Sequence, residues 1–410
     1  MTSSLTRLGS ANTYDNALRN LSMRQSALSN LQENLTSGKK VVRASDDPTG
    51  AAQAERAMTR ISRIATDQRA LEAQRNSIAM AEGTLGDVTD ALQNFRELVV
   101  SAGNGVLTSA ERKSITIQLQ GLRDQVFSLA NRKDSNGQPL FSALGSALAP
   151  FVGPNAPPQD YAFNGLPGQS ASSEVAIPFA LDGDSAFMLQ TNRDGVYNVS
   201  LGSGTTNLKT GPATLNPPTA ATGASYTISF TSVTAAAGNT TASYDIVDSG
   251  SGAAVATGTK TYSTGQSFTV TEMPGLSLTI TGTPTVADTV KVESSPSLFS
   301  VLDDAISSIG SASSNATASQ AVSQALGNID IGMGRVSAVR GQAGDLLNRA
   351  DRITSNQEAR SIQLEADRSR AEDLDMVKGI ADFQNQQTGY QAALQSYAQV
   401  QKLSLFNYIS

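Results

Sequence analysis

The segment Ile64–Val99, IATDQRALEAQRNSIAMAEGTLGDVTDALQNFRELV, carries an apolar residue at every seventh position: Ile64, Leu71, Ile78, Leu85, Leu92 and Val99. That spacing puts the six side chains on one stripe of an α-helix, and such a stripe is buried against another helix. The second seam position is mixed, reading Ile61, Gln68, Arg75, Glu82 and then Phe95. Asp47 can cap the start of this helix and Pro48 suits its first turn. Gly103 to Gly105 ends it. At about 1.5 Å per residue, Pro48 to Ala102 would be roughly 80 Å long, which predicts a coiled-coil rod.

Upstream, Leu21, Leu28 and Leu35 recur every seven residues, with Leu18 and Leu31 on the same face. They predict a first helix from about Ala11 to Ser37, stopped by Gly38, which tolerates a left-handed cap. Downstream, Thr108 and Glu111 form a capping box for a helix whose face is Ile115, Leu119, Leu122, Val126 and Leu129. Helical pattern returns at Leu298, and after a short helix and a Ser-rich gap a second long seam begins. Val322, Ile329, Val336, Ala343 and Ala350 mark one line; Leu326, Met333 and Leu347 mark the other. This seam is expected to pair antiparallel with the Pro48–Ala102 helix. A final helix, about Leu374 to Leu403, carries Met376, Ile380, Phe383, Tyr390, Leu394 and Tyr397 and should return to the first.

These terminal stripes can pack within one chain or between copies. The polar run Gln384 to Gln387 favours the second, because a polar seam residue costs stability but fixes register with a specific partner.

Between the helical parts the composition shifts to Gly, Ser, Thr, Pro and Ala. Runs such as Tyr226–Phe230, Tyr244–Val247, Ser267–Val270, Leu276–Ile280 and Thr289–Val292 alternate with strand period. The alternation is too regular for a disordered polar tract. The fold class read from the sequence is therefore α+β: a long antiparallel helical coiled-coil rod formed by both chain ends, with an inserted antiparallel β domain in the middle. The expected boundaries are 1–45 and 373–410 for the terminal helices, 46–142 and 297–372 for the rod, and 143–296 for the β domain.

Composition narrows the chemistry. The chain has no His, Cys or Trp. A Ser-His-Asp triad, thiolate metal sites and disulfides are excluded, and the commonest general base is missing. Net charge is −6, which disfavours nucleic acid. The excess acids sit between Phe151 and Ser295, where ten acids meet four bases. No apolar run reaches the length of a membrane span, and Met1 to Ser10 lacks the apolar region of a secretory leader. Ser37-Gly38-Lys39-Lys40 matches a Ser-x-x-Lys string but reads better as a helix end. Asp46-Asp47 reads better as a cap than as a catalytic pair. Asn198-Val199-Ser200 matches a glycosylation acceptor, a string short enough to arise by chance. No cofactor or metal is expected.

Several segments now point the same way. Leu35-Thr36-Ser37-Gly38-Lys39-Lys40 with Arg43-Ala44-Ser45-Asp46-Asp47-Pro48 resembles a segment of the flagellar hook-associated protein 3 family, the hook–filament junction proteins. Asn136-Gly137-Gln138-Pro139-Leu140-Phe141-Ser142, the β motif Thr279–Pro284 with Asp288-Thr289-Val290, and the end Leu394–Ile409 are similar to that family too. Flagellins share much of the N-terminal pattern, but usually have Ala where Pro48 stands. They typically end in Leu-Ser-Leu-Leu, where this chain has Leu403-Ser404-Leu405-Phe406.

The resemblance implies a structural subunit of the bacterial flagellum, not an enzyme. It implies a junction layer between the first hook-associated protein and flagellin, with flagellin itself the alternative identity. The implied partners are copies of the chain in a ring, those two neighbours and a flagellar export chaperone, with neither nucleic acid nor membrane. The implied location is extracellular, reached by flagellar type III export without a cleaved leader. The expected inter-subunit contacts are Leu21, Leu28, Leu35, Met376, Phe383, Tyr390, Leu394, Tyr397 and Leu403, with Asp47 and Pro48 as a helix cap. A glycan-binding role for the acidic β domain is the rival of another class, weakened by its few aromatics.

Overall fold

The computed structural model describes residues 3–155, 161–202, 208–312 and 314–409, and their side chains apart from 3–14, 191–192, 218 and 400–409. Three helices open the chain: α1 (Ser3–Ser37), α2 (Pro48–Ala102) and α3 (Ser109–Ala130). Short elements follow: β1 (Phe151–Val152), β2 (Ala162–Phe163), α4 (Gly183–Phe187) and α5 (Thr191–Asp194). Then come β3 (Tyr197–Leu201), β4 (Leu208–Thr210), β5 (Thr214–Leu215), β6 (Tyr226–Ala236), β7 (Asn239–Asp248), β8 (Ala254–Ser263), β9 (Ser267–Met273), β10 (Leu276–Gly282) and β11 (Thr289–Ser294). Helices α6 (Leu298–Gly310), α7 (Asn315–Glu372) and α8 (Met376–Ile409) close it. The expected α+β class holds: helices at both ends, antiparallel sheets in the middle. The chain divides into two compact units, residues 70–353 and residues 1–69 with 354–410.

In the 70–353 unit the seven-residue line of α2 is the core. Leu71, Ile78, Leu85, Leu92 and Val99 are all buried. The second line differs from the expected one. It runs Gln74, Ala81, Val88, Phe95 and Ala102, all buried. Arg75 and Glu82 lie beside it and leave the seam to form ion pairs with α7. Arg75 Nε meets Asp351 Oδ1 at 3.1 Å, Arg340 Nε meets Glu82 Oε1 at 2.7 Å, and Arg96 Nε meets Asp330 Oδ1 at 2.9 Å. These pairs fix α2 and α7 antiparallel. On α7, Val322, Ile329, Val336, Ala343 and Ala350 are buried, joined by Ala325, Val339 and Ile353. Leu326, Met333 and Leu347 are only partly buried.

The capping box of α3 is present: Glu111 N donates to Thr108 Oγ1 at 3.3 Å, and Thr108 N donates to Glu111 Oε2 at 2.7 Å. An aromatic cluster joins the same core. Phe299 of α6 stacks on Phe187 at 5.7 Å between ring centroids and meets Phe127 and Phe151 edge-on at 5.2 and 5.5 Å. Such pairs add about 0.5–1.5 kcal/mol each beyond their burial.

A second core holds the strands together. One sheet has the order β3-β11-β6-β7-β8, and in the other β10 pairs with β4, β5 and β9, all antiparallel. Alternate residues point inward, as a period of two demands: Tyr226, Ile228 and Phe230 from β6, Leu276, Leu278 and Ile280 from β10. β8 was not anticipated. It is an edge strand of mostly small and polar residues, so it shows little apolar alternation. Gly258 of β8 stands opposite Tyr244, and a Cβ there would lie 2.5 Å from the ring.

Candidate assembly surface

The surface is built in the unit of residues 1–69 and 354–410. Its hub is the connector after α1. Gly38 turns the chain at φ +72°, a left-handed conformation that glycine adopts at no steric cost. The turned segment then lies along the end of α7. Lys40 N and Val41 N donate to Glu372 O at 2.8 and 3.4 Å, and Leu374 N donates back to Gly38 O at 2.9 Å. Lys39 pairs with the Glu372 carboxylate, and Lys40 Nζ donates to Arg370 O at 2.8 Å.

Both aspartates of the connector do backbone work. Asp46 Oδ2 accepts from Arg43 N at 2.8 Å. Asp47 Oδ1 accepts from Gly50 N at 3.0 Å and from the Thr49 hydroxyl and N–H at 2.7 and 3.1 Å. The Gly50 N–H, then the Thr49 hydroxyl, hold this carboxyl below its ordinary range. Pro48 is the first residue of α2, where its missing N–H costs nothing.

α1 and α8 pair antiparallel. Leu35 Cδ2 lies 3.2 Å from the Cβ position of Gly379, and Arg24 Nη1 lies 2.7 Å from that of Gly389. Leu21, Leu28 and Leu35 of α1 and Phe383, Tyr390 and Tyr397 of α8 line this contact, each only half-buried. Among the described side chains α1 has no buried residue, and Gly379 is the single buried position of α8. Met376 and Leu394 fall outside the contact, 45% and 41% exposed. With them stand Leu18, Ile380 and Val377, the last 82% exposed. Leu403 lies outside the residues whose side chains are described. The terminal stripe thus splits in two: one half meets α1, and the other forms an open apolar ridge.

Sequence reasoning missed a further feature. A groove of about 610 Å³ opens between α1 and α8, lined by Ala17, Asn20, Ala27, Ala393, Ser396 and Tyr397 among others. Small residues leave that space, and they gave no apolar signal to read. Among the described residues no group of three or more acids could hold a metal, and no helix is long and apolar enough to cross a membrane.

The comparisons with known proteins follow the same parts. The bacterial flagellin N-terminal helical region matches residues 10–145, and the bacterial flagellin C-terminal helical region matches residues 326–409. The chain therefore carries both terminal regions of that family. Flagellar hook-associated protein 3 of Salmonella typhimurium is 34% identical over 148 residues, 35% of this chain and 46% of that protein. The flagellar filament 41 kDa core protein of Borreliella burgdorferi is 28% identical over 200 residues, 48% of this chain and 60% of the relative. The chain spans about half the length of these curated relatives. Among solved structures, FlgL of Xanthomonas campestris is 25% identical with TM-score 0.56, covering 76% of this chain and 98% of that one. Hook-associated protein 3 of Legionella pneumophila has TM-score 0.60 at 23% identity, covering 76% and 97%.

Proposed function

We propose that this chain, with both terminal helical regions of bacterial flagellin, is a structural subunit of the flagellum forming the junction layer between hook and filament. The observation that carries the reading is the α1–α8 pair. Two helices of this length with no described side chain fully buried on α1 do not bury enough to hold their seam alone. They become stable when neighbouring copies cover the ridge and the groove. The fold supports the junction layer over the filament, since the hook-associated structures extend across 76% of the chain.

In this reading the chain is not an enzyme. Its partners are its own copies in a ring, the first hook-associated protein on one side and flagellin on the other, with an export chaperone beforehand. It leaves the cell through the flagellar export channel. Leu21, Leu28, Leu35, Met376, Phe383, Tyr390, Leu394, Tyr397 and Leu403 carry the contacts between subunits. The second reading, a filament subunit, is favoured by the match to the Borreliella filament protein.

Deletion of the gene separates the two. A strain that builds hooks without filaments and sheds flagellin into the medium has lost the junction. Short attached filaments in the deletion strain would assign the chain to the filament.

A further inference from the structure

Asparagine is followed by glycine at three places in the chain: Asn104-Gly105, Asn136-Gly137 and Asn164-Gly165. The pair has a chemistry of its own. The glycine nitrogen can attack the asparagine side-chain carbonyl, because glycine has no side chain to hinder the approach. The fold treats the three pairs differently.

Two of them are held. Gly137 N donates to Asp134 O at 3.1 Å, so the attacking nitrogen is already engaged, and Asp134 Oδ1 accepts from Asn136 N and Gln138 N at 2.8 Å each. Gly165 is crowded from two sides. A Cβ on it would lie 2.2 Å from Phe163 Cζ, and a Cβ on Gly145 would lie 2.9 Å from Gly165 Cα. Asn164 N is fixed as well, donating to Pro150 O at 2.7 Å.

Asn104 is exposed, in the turn between α2 and α3. Leu107 N donates to Asn104 O at 3.1 Å, and Val106 N donates to Asn104 Oδ1 at 3.2 Å. The second bond closes an Asx turn, which folds the side chain back over the Gly105 nitrogen. It also sets a donor on the oxygen that gains negative charge when the carbonyl is attacked. The Gly105 N–H donates to no described residue, and a Cβ on Gly105 would meet nothing within 4 Å. A free nucleophile and a polarised carbonyl thus share one turn.

A product charge has a counterpart there. Arg112 is 4% exposed, and its acceptors are neutral: Leu107 O at 2.8 Å and Asn315 Oδ1 at 3.1 Å for Nη1, Ala312 O at 3.5 Å for Nη2. A carboxylate at position 104 would stand in the turn that this buried cation grips.

We propose that Asn104 is a deamidation site, the first of the three to react in the folded protein. The Gly105 nitrogen gives up its proton and bonds to Asn104 Cγ. The bond from Cγ to the side-chain nitrogen breaks, and ammonia leaves with a proton in exchange. Water then opens the cyclic imide at either of its carbonyls, which leaves aspartate or isoaspartate at position 104 and one more negative charge on the chain. The inference is independent of the junction-layer reading.

The full-length protein is incubated at neutral pH, folded and in concentrated guanidinium. Peptides holding each pair are followed by mass for the exchange of NH2 for OH, and isoaspartate by methyltransferase labelling. The ratio of folded to unfolded rate at each pair reads the effect of the fold alone. Asn104 is expected to convert in the folded protein at least as fast as in the unfolded one, while folding slows Asn136 and Asn164 by about tenfold or more. Gly105→Ala, which open space admits, should slow Asn104 by about tenfold without changing the melting temperature. Asn104→Asp should melt no lower than the parent. Folding that slows Asn104 as much as the other two overturns the proposal, and so does a rate that Gly105→Ala leaves unchanged. A lower melting temperature for Asn104→Asp overturns the part given to Arg112.

Discussion

Gln324 Oε1, on α7, accepts the backbone N–H of Val199 on β3 at 3.0 Å. β3 ends its sheet, with β11 on one side only. A helix side chain takes the place of the missing strand. One turn along, Asn328 Nδ2 donates to Tyr197 O at 3.1 Å, and Gln324 Nε2 donates to Thr210 Oγ1 at 3.2 Å. The contacts to Val199 and Tyr197 blunt an edge of β3 that would otherwise invite pairing with another chain, and the bonds of Gln320 and Gln324 to Thr210 tie α7 to β4 as well.

Gln324→Leu removes the acceptor and leaves a buried N–H unpaired. The expected loss is about 1–3 kcal/mol, read by denaturant unfolding of the full chain. Hydrogen exchange at Val199 should quicken in the variant. An unchanged Val199 amide would show that the contact contributes nothing.

Phe95 and Glu82 stand on the same helix and should differ sharply. Phe95 is wholly buried, and Phe95→Ala is expected to cost about 3–5 kcal/mol. Glu82 faces Arg340 across a partly solvated pair, and Glu82→Gln is expected to cost less than about 1 kcal/mol. Comparable losses in the two variants would contradict the assignment of the seam.

The same two residues show what the sequence could and could not reveal. The line through Leu71, Ile78, Leu85, Leu92 and Val99 was legible because large apolar side chains recur on one stripe. Its companion was half hidden. Ala81 and Ala102 are too small to weigh as apolar, and Gln74 is buried because its Oε1 accepts Ile177 N at 3.1 Å. Periodicity sees no such partner. At the chain ends the stripe of α8 was legible as a stripe, but its division into an α1-facing half and an open ridge was not. That division depends on Gly379 and Gly389, whose lack of bulk lets Leu35 and Arg24 of α1 approach. β8 escaped notice for a related reason: an edge strand with one face exposed needs few apolar residues.

Glu272 gives the strands a pH signature. Burial pushes its carboxyl up. The Lys260 ammonium at 2.8 Å, the Thr271 N–H and the Tyr244 hydroxyl at 2.8 Å outweigh burial and hold it at about 2. A carboxyl depressed in the folded state adds stability above its unfolded value, near 4.3. That stability is lost as pH falls from there through about 2. Glu272→Gln should lower stability at pH 7 by about 2 kcal/mol and flatten the acid limb of the curve. Acid unfolding that is the same in both proteins would refute the assignment.

Gly379 is where α8 meets Leu35 most closely. A Cβ there would lie 2.9 Å from Leu374 Cδ2 and 3.2 Å from Leu35 Cδ2. Gly379→Leu therefore cannot keep the present spacing and should part α1 from α8 at this level. Residues 70–353 form their own compact unit and should melt unchanged by circular dichroism. Hooks in cells carrying the variant are expected to lose their filaments. Thr388→Ser, an exposed change on the same helix that keeps the hydroxyl bonded to Gln384 O, serves as the control and should leave swimming intact. If Gly379→Leu cells swim normally, close approach of α1 to α8 is not what the assembly needs.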